Sequence, residues 1–373
     1  MRFVIFTHSL VSDWNHGNAH FLRGVMRELQ RRGHVAVARE PRDGWGRVNL
    51  LRDHGEAAVR RFGERFPKLR SEVYDRVGFD PDRIVEDADV VIVHEWNEPW
   101  LIATLSRHRL SSGSYVLLFH DTHHRAVTAP DDIERLDLDG FDGVLCFGEA
   151  IRRLYLERGW AARAWTWHEA ADTALFRPRP EIAKTGDLVW IGNWGDEERS
   201  RELREFVLEP VRELGLTALI HGVRYPPDAQ AEIAASRARY GGWLQNDAVP
   251  DAFAAHRLTV HVPRRPYVEA LPGIPTIRVF EALACGLPLV SAPWHDSEGL
   301  FRSGDYLVAR TGAEMKDLVR RVLQDRDLAA ELAARGLETV RARHTCAHRV
   351  EELLAICASC GAPALTDEAA GPA

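Results

Sequence analysis

"LPGIPTIRVFEALACGLPLV", residues 271–290, carries most of the information about the fold. Pro272, Gly273 and Pro275 make a tight loop. Ile277, Phe280, Leu283 and Ala284 then recur at helical spacing, and Gly286 and Pro288 stop the helix they predict. The apolar run at 287–292 follows as a strand. A helix N-terminus behind such a loop offers unpaired N–H groups and the positive end of a dipole, which suits a phosphate. Arg278, Glu281 and Cys285 fall on another face, three and four residues apart. A guanidinium and a carboxylate one turn beyond a glycine loop could hold a diphosphate and a ribose diol. A surface Arg–Glu pair on an ordinary helix has the same spacing.

Working outward, the same alternation covers the chain. "DLVWIG" (187–192), "TALIHG" (217–222), "LTVHV" (258–262) and "YLVA" (306–309) predict further strands with helices between them. The first half repeats the pattern with "RFVIFT" (2–7), a helix at about 18–32 closed by Gly33, "VAVA" (35–38), "ADVVIVH" (88–94), "YVLLFH" (115–120) and "DGVLCF" (142–147). A helix at about 149–158 and a strand at about 163–167 complete it. These runs are apolar throughout, as expected of parallel strands covered on both faces. Residues 172–187 lack periodicity, contain two prolines and read as a linker.

The expectation is an α/β chain of two doubly wound, Rossmann-like domains facing across a cleft. The first spans 1–178, joined by a C-terminal helix at about 344–360. The second spans 179–343, and a disordered tail covers 361–373. Ligands should lie beyond the carboxyl ends of the strands.

Composition limits the function classes. The chain has 373 residues, 45% apolar and 28% charged, with a net charge of -7. Any basic phosphate site is therefore local, and a nucleic-acid partner is not expected. No run reaches the length of a membrane span, and the start lacks a signal-peptide pattern. Cys146, Cys285, Cys346, Cys357 and Cys360 are few and odd in number, which points to a reducing cytoplasm. Cys357 and Cys360 have redox-pair spacing without a thioredoxin-like context.

Two further stretches carry polar groups at strand ends. "HDTHH" (120–124) poses a choice between a metal centre and a polar wall. His120 and His124 could share a helical face, but a third ligand would have to come from elsewhere. Asp121 or a neutral imidazole there could act as a general base. "HEWNEPW" (94–100) adds His94, Trp96 and Trp100, the tryptophans being possible stacking platforms. In the second half, "WIGNWGDEERSRELREF" (190–206) offers Gly192 and Asn193 at a strand end. Arg264 and Arg265 follow "LTVHV".

"RVFEALACGLPLV" resembles the signature of glycosyltransferases with the GT-B fold. "HEAADTALFRP" (168–178) is similar to the phrase that closes that family's first domain. "NHGNAHFLRGVMRELQRRGHVAVA" (15–38) resembles its opening glycine loop, helix and strand. "GLFRSGDYLVA" and "HTCAHRVEELL" are similar to a CgeB-like branch. The resemblance implies that Glu281 binds the nucleotide ribose and that an arginine near Arg199, preferred over Arg201, meets the diphosphate. It implies a metal-independent reaction with no cofactor. It makes His120 a sugar contact and places an alternative base, His16 or His20, in the first loop beside Gly17 and Asn18. One departure stands out. Retaining members carry a glutamate eight residues before the ribose carboxylate, where this chain has Gly273, and Glu269 is no assured substitute.

Together these features predict a cytoplasmic glycosyltransferase moving a sugar from a nucleoside diphosphate sugar to an unidentified acceptor. Donor contacts would come from Gly192, Asn193, Arg199, Arg264, Gly273, Ile274, Pro275, Thr276, Arg278 and Glu281. The acceptor would meet Gly17, Asn18, His94 and Trp96. A nucleotide-sugar 2-epimerase of the same fold and a non-catalytic binding protein are the alternatives.

Overall fold

The computed structural model describes residues 1–195 and 197–363. The chain divides into two compact units: 1–12, 25–168 and 349 onward form the first, and 13–24 with 169–348 form the second.

The first unit contains β1 (Arg2–Phe6), β2 (Val35–Pro41), β3 (Arg70–Tyr74), β4 (Val90–His94), β5 (Val116–Asp121), β6 (Gly143–Cys146) and β7 (Ala164–Thr166). They form one sheet in the order β3-β2-β1-β4-β5-β6-β7, every pair parallel. The strand order reverses between β1 and β4, so the ends of these two strands and of β5 flank the crevice where such sheets bind ligands. Every residue of β4, β5 and β6 is buried, which explains why these strands read as unbroken apolar runs.

The second unit contains β8 (Gly186–Ile191), β9 (Ala218–His221), β10 (Arg239–Gly242), β11 (His256–His261), β12 (Leu289–Ser291) and β13 (Leu307–Val308). Its order is β10-β9-β8-β11-β12-β13, again all parallel, with the reversal between β8 and β11. Leu188, Trp190, Leu258, Val260 and Val290 from the sheet pack with helix residues such as Phe206, Met315 and Val319 into one core.

Three differences from the sequence reading have physical causes. Edge strands β3 and β10 escaped it, because an edge strand of mixed polarity carries no apolar run: the burial of β3 alternates and no residue of β10 is fully buried. Strand β5 continues through His120 and Asp121, which are therefore strand residues and not loop residues. Residues 13–24 belong with the second unit. Arg23 pairs with Asp13 at 3.0 Å, and Asp13 accepts the Asn246 N–H at 3.1 Å. Residues 169–176 join them: Ala171 bridges Thr345, and Phe176 packs on His20 with ring centroids 4.4 Å apart. The helix expected at about 344–360 is Cys346–Ser359. The tail expected as disordered lies, from residue 364, outside the described residues.

Candidate active site

The second unit gathers its charged residues at the β8–β11 reversal. Gly192 follows β8, its N–H bonded to His221 O at 2.9 Å and its carbonyl accepting the Tyr225 hydroxyl at 3.0 Å. A Cβ at Gly192 would strike the Trp190 ring, so the loop passes too close to that indole for any side chain. Arg199 is buried over Trp190, its guanidinium 5.2 Å from the ring centroid. It donates to Asn193 O at 3.0 Å, to Asn193 Oδ1 at 2.7 Å and to Val262 O at 3.3 Å. Among the described residues no carboxylate lies within ion-pairing distance of it. Burial, with the charge of Arg264 adding to it, pushes the Arg199 guanidinium down to about 9. Arg201 is exposed. Arg264 reaches Asn193 Oδ1 at 3.2 Å and pairs with Glu198, while Arg265 lies 3.8 Å from Glu202.

The loop before the Ile277–Ala284 helix closes the other side. Gly273 has φ +89, a backbone region open to glycine, and its N–H bonds His295 O at 2.9 Å. A Cβ there would meet the Glu298 side chain, so a carboxylate from a later loop fills the space in front of position 273. Ile274 and Pro275 are buried, and the Ile274 carbonyl accepts the Trp294 indole N–H at 3.0 Å. Thr276 caps the helix with extended backbone, and its side chain makes no capping hydrogen bond.

Glu281 is not on a surface face. It is fully buried, paired with Arg278 and 2.8 Å from His20 Nδ1. Burial pushes its carboxyl up, but Arg278 and His20 outweigh that and hold it below the ordinary value. The alternative of an exposed Arg–Glu pair is therefore overturned: the carboxylate lies within the fold and only Arg278 is partly open. His20 likewise is wholly buried, against Glu281 and Phe176. His16 is half-buried. Gly17 lies against the start of the same helix, where a Cβ would come 3.2 Å from Ile277 and 3.6 Å from the Arg278 guanidinium. Asn18 hydrogen-bonds Glu169, whose carboxyl burial and the charge of Glu281 push up to about 8.

The first unit assembles a second cluster at the ends of β1, β4 and β5. His94 and His120 are register partners with rings 5.3 Å apart; His8 lies 5.5 Å from His94, and Trp167 packs 4.8 Å from His120. Burial depresses His8 to about 4 and His120 to about 3, so both imidazoles are neutral. Asp121 points to the opposite face of β5 from His120. It accepts the Tyr155 hydroxyl at 2.8 Å and the His123 N–H at 3.0 Å. Glu95 is buried beside Thr122 and pairs with Arg125. Burial, then the charge of Asp121, pushes Glu95 up to about 8, and burial also raises Asp121. Trp96 is 44% exposed, with Arg125 over its ring at 4.5 Å.

"HDTHH" does not form the helical face on which His120 and His124 would meet: His124 Nδ1 turns to Thr128 Oγ1 at 2.9 Å. Among the described residues no group of three or more His, Cys, Asp or Glu side chains is arranged to hold a metal ion.

The structure thus brings together Gly192, Asn193, Arg199, Arg264, Gly273, Thr276, Arg278 and Glu281, with Gly17, Asn18, His16 and His20 in the same unit. His94, Trp96, His120 and Asp121 form the separate cluster. Sequence reading missed Glu95, His8, Glu169 and His261. Glu95 and His8 were findable as polar residues just after apolar runs. His261 was hidden inside one.

Residues 199–355 match a family profile described as "Glycosyl transferase-like". No curated protein matches the chain by sequence. Among solved structures, sucrose-phosphate synthase from Thermosynechococcus elongatus is similar with a TM-score of 0.66 at 13% identity, covering 96% of this chain and 98% of that one. Anabaena HepE, solved with UDP and glucose, gives 0.66 at 14% identity, covering 96% and 100%. An alpha-glucosyltransferase solved with UDP and a 13-mer DNA gives 0.70 at 13% identity, covering 96% and 99%. The chain has the GT-B fold.

Proposed function

We propose that this protein is a glycosyltransferase that takes a sugar from a nucleoside diphosphate sugar bound by the second unit and passes it to an acceptor bound by the first. The observation that carries the reading is Arg199. A buried guanidinium that no ion pair among the described residues balances, with the charge of Glu198 acting on it only from farther away, is costly unless an anion joins it. Arg264, Arg278 and the uncapped helix start at Thr276 surround the same β8–β11 reversal, and a diphosphate supplies the missing charge. These groups would stabilise the departing diphosphate by fixed electrostatics, without a metal. Glu281, held by His20 and Arg278, would accept the ribose hydroxyls. The glycosyl transferase-like profile over 199–355 and the UDP found in structures of the same fold support this reading.

The acceptor hydroxyl must lose a proton as it attacks the anomeric carbon. We place that step at the end of β5, with Asp121 as base, Glu95 as the neighbouring carboxylate, and His94, His120 and Trp96 holding the acceptor. The burial of His20 against Glu281 favours a role in positioning the ribose contact over one as base. Although a protein of the same fold was solved with DNA, the net charge of -7 favours a small or carbohydrate acceptor. A cytoplasmic location fits the five cysteines, none of which forms a disulfide. No helix among the described residues is long and apolar enough to cross a membrane.

The test is a thermal-unfolding panel of UDP, GDP, ADP, dTDP and their glucose conjugates. At least one diphosphate and its sugar should raise the melting temperature saturably. No response to any of them would overturn the reading. Sugar release from the same conjugate without an acceptor, giving an epimer in place of a glycoside, would favour the epimerase alternative.

A further inference from the structure

The pocket beside Arg199 is lined by a polar group that an anion cannot satisfy. His261 ends β11, is 2% exposed, and lines that pocket with Trp190, Arg199, Thr276 and Arg278. Its register partner across the sheet is Ser291 at the end of β12, and His261 Nδ1 lies 2.9 Å from Ser291 Oγ. Ser291 Oγ also lies 2.7 Å from the Ala292 carbonyl oxygen, a contact the hydroxyl can make only by donating. Its single proton is then committed, so Ser291 accepts from His261. This places the imidazole proton on Nδ1 and leaves a bare lone pair on Nε2. Burial, assisted by the charge of Arg199, keeps the ring neutral and pushes it down to about 3. Among the described residues Nε2 has no hydrogen-bond partner. A buried acceptor left in that state carries a desolvation cost that a ligand can remove.

The remaining charged groups of the pocket, Arg199 and Arg278, are pure donors. They fit phosphate oxygens, which are acceptors. The unpartnered acceptor Nε2 beside them calls for an O–H or N–H on the same ligand. Resting on the reading that the second unit binds a nucleoside diphosphate sugar, we propose that His261 Nε2 accepts a hydrogen bond from a hydroxyl or N–H of that ligand beside its diphosphate. His261 is then a specificity residue, and Ser291 the positioning residue that fixes its tautomer.

The experiment compares wild type with His261→Asn, His261→Gln and Ser291→Ala, using UDP and UDP-glucose (or the base identified by the panel above) in calorimetry. Asn keeps a donor near Nδ1 for Ser291 but removes the acceptor, whereas Gln keeps an acceptor near Nε2. A lost neutral hydrogen bond corresponds to about threefold to tenfold in affinity. His261→Asn should lose that factor and His261→Gln should retain more of it. Ser291→Ala, which frees the proton to move to Nε2, should weaken binding in the same direction. Equal loss for UDP and UDP-glucose puts the donor group on the nucleoside; loss for UDP-glucose alone puts it on the sugar. Imidazole nitrogen NMR supplies the second readout: Nε2 should be unprotonated in the free protein and shift when ligand binds. Unchanged affinity in a folded His261→Asn protein whose parent binds the nucleotide overturns this inference alone, as does an Nε2-protonated ring. A wild type that binds none of the nucleotides overturns the functional reading and this inference with it.

Discussion

Replacing Arg199 by Met separates a ligand-binding cation from a structural one. The depression of Arg199 to about 9 corresponds to a charge cost of order 5 kcal/mol in the ligand-free fold. A guanidinium stays protonated at neutral pH, so the fold carries that cost rather than shedding the proton. Three charge-assisted hydrogen bonds, to Asn193 O, Asn193 Oδ1 and Val262 O, at roughly 1.5–3 kcal/mol each, offset most or all of it. Methionine keeps the aliphatic stem over Trp190 and removes the charge. The expected balance is close to zero, a change of no more than a few degrees in the melting temperature of a unit of this size. The ligand response should fall. At a hundred times its dissociation constant a nucleotide stabilises the wild type by about 2.7 kcal/mol. A hundredfold loss of affinity cuts that to about 0.4 kcal/mol at the same concentration. The assay is thermal unfolding with and without the nucleotide chosen from the panel. If Arg199→Met melts well below wild type and keeps the full nucleotide shift, Arg199 is a structural cation and the diphosphate lies elsewhere.

The other predictions concern the carboxylates and metal removal. Glu281→Gln should weaken nucleotide binding about tenfold to a hundredfold in calorimetry, since a charged hydrogen bond contributes roughly 1.5–3 kcal/mol; unchanged affinity would remove the ribose role. Asp121→Asn should lower turnover by about a hundredfold with donor affinity nearly intact, whereas a surviving rate together with an inactive His16→Ala would move the base to the first loop. Glu95 and Glu169 are both raised to about 8 in the fold. Between the ordinary carboxylate value and 8 the unfolded chain has released these protons and the folded protein retains them. Stability should therefore fall as pH rises across that window and level off above it. Urea titrations should show the slope reduced in Glu95→Gln. Turnover should persist after prolonged dialysis against EDTA; loss of activity restored by one added metal would contradict the electrostatic account of the leaving diphosphate.

How much of this was legible in the sequence follows from what each feature depends on. The interior strands were visible because a strand covered on both faces must be apolar along its length, as in "VVIVH" and "VLLF". Two of the four edge strands, β3 and β10, were not, because their mixed polarity is no different from that of a loop. The loop and helix at 272–284 were visible because Gly273 at positive φ and the apolar stripe are local demands. Spacing alone left open whether Glu281 was a ribose carboxylate or half of a surface pair, because its burial depends on His20, some 260 positions away, and spacing along one helix cannot report a partner from another segment. Asp121 shows the same limit: its engagement by Tyr155 depends on which face of β5 it occupies, and the strand's true end at Asp121 settles that. His261 is the clearest case. In "LTVHV" it reads as one polar interruption of a buried strand. Its state is set across the sheet, where the parallel register brings Ser291 opposite and the Ala292 carbonyl accepts the serine's hydroxyl hydrogen bond. That arrangement turns an ordinary buried histidine into an acceptor beside two arginines, and no reading of a single strand could contain it.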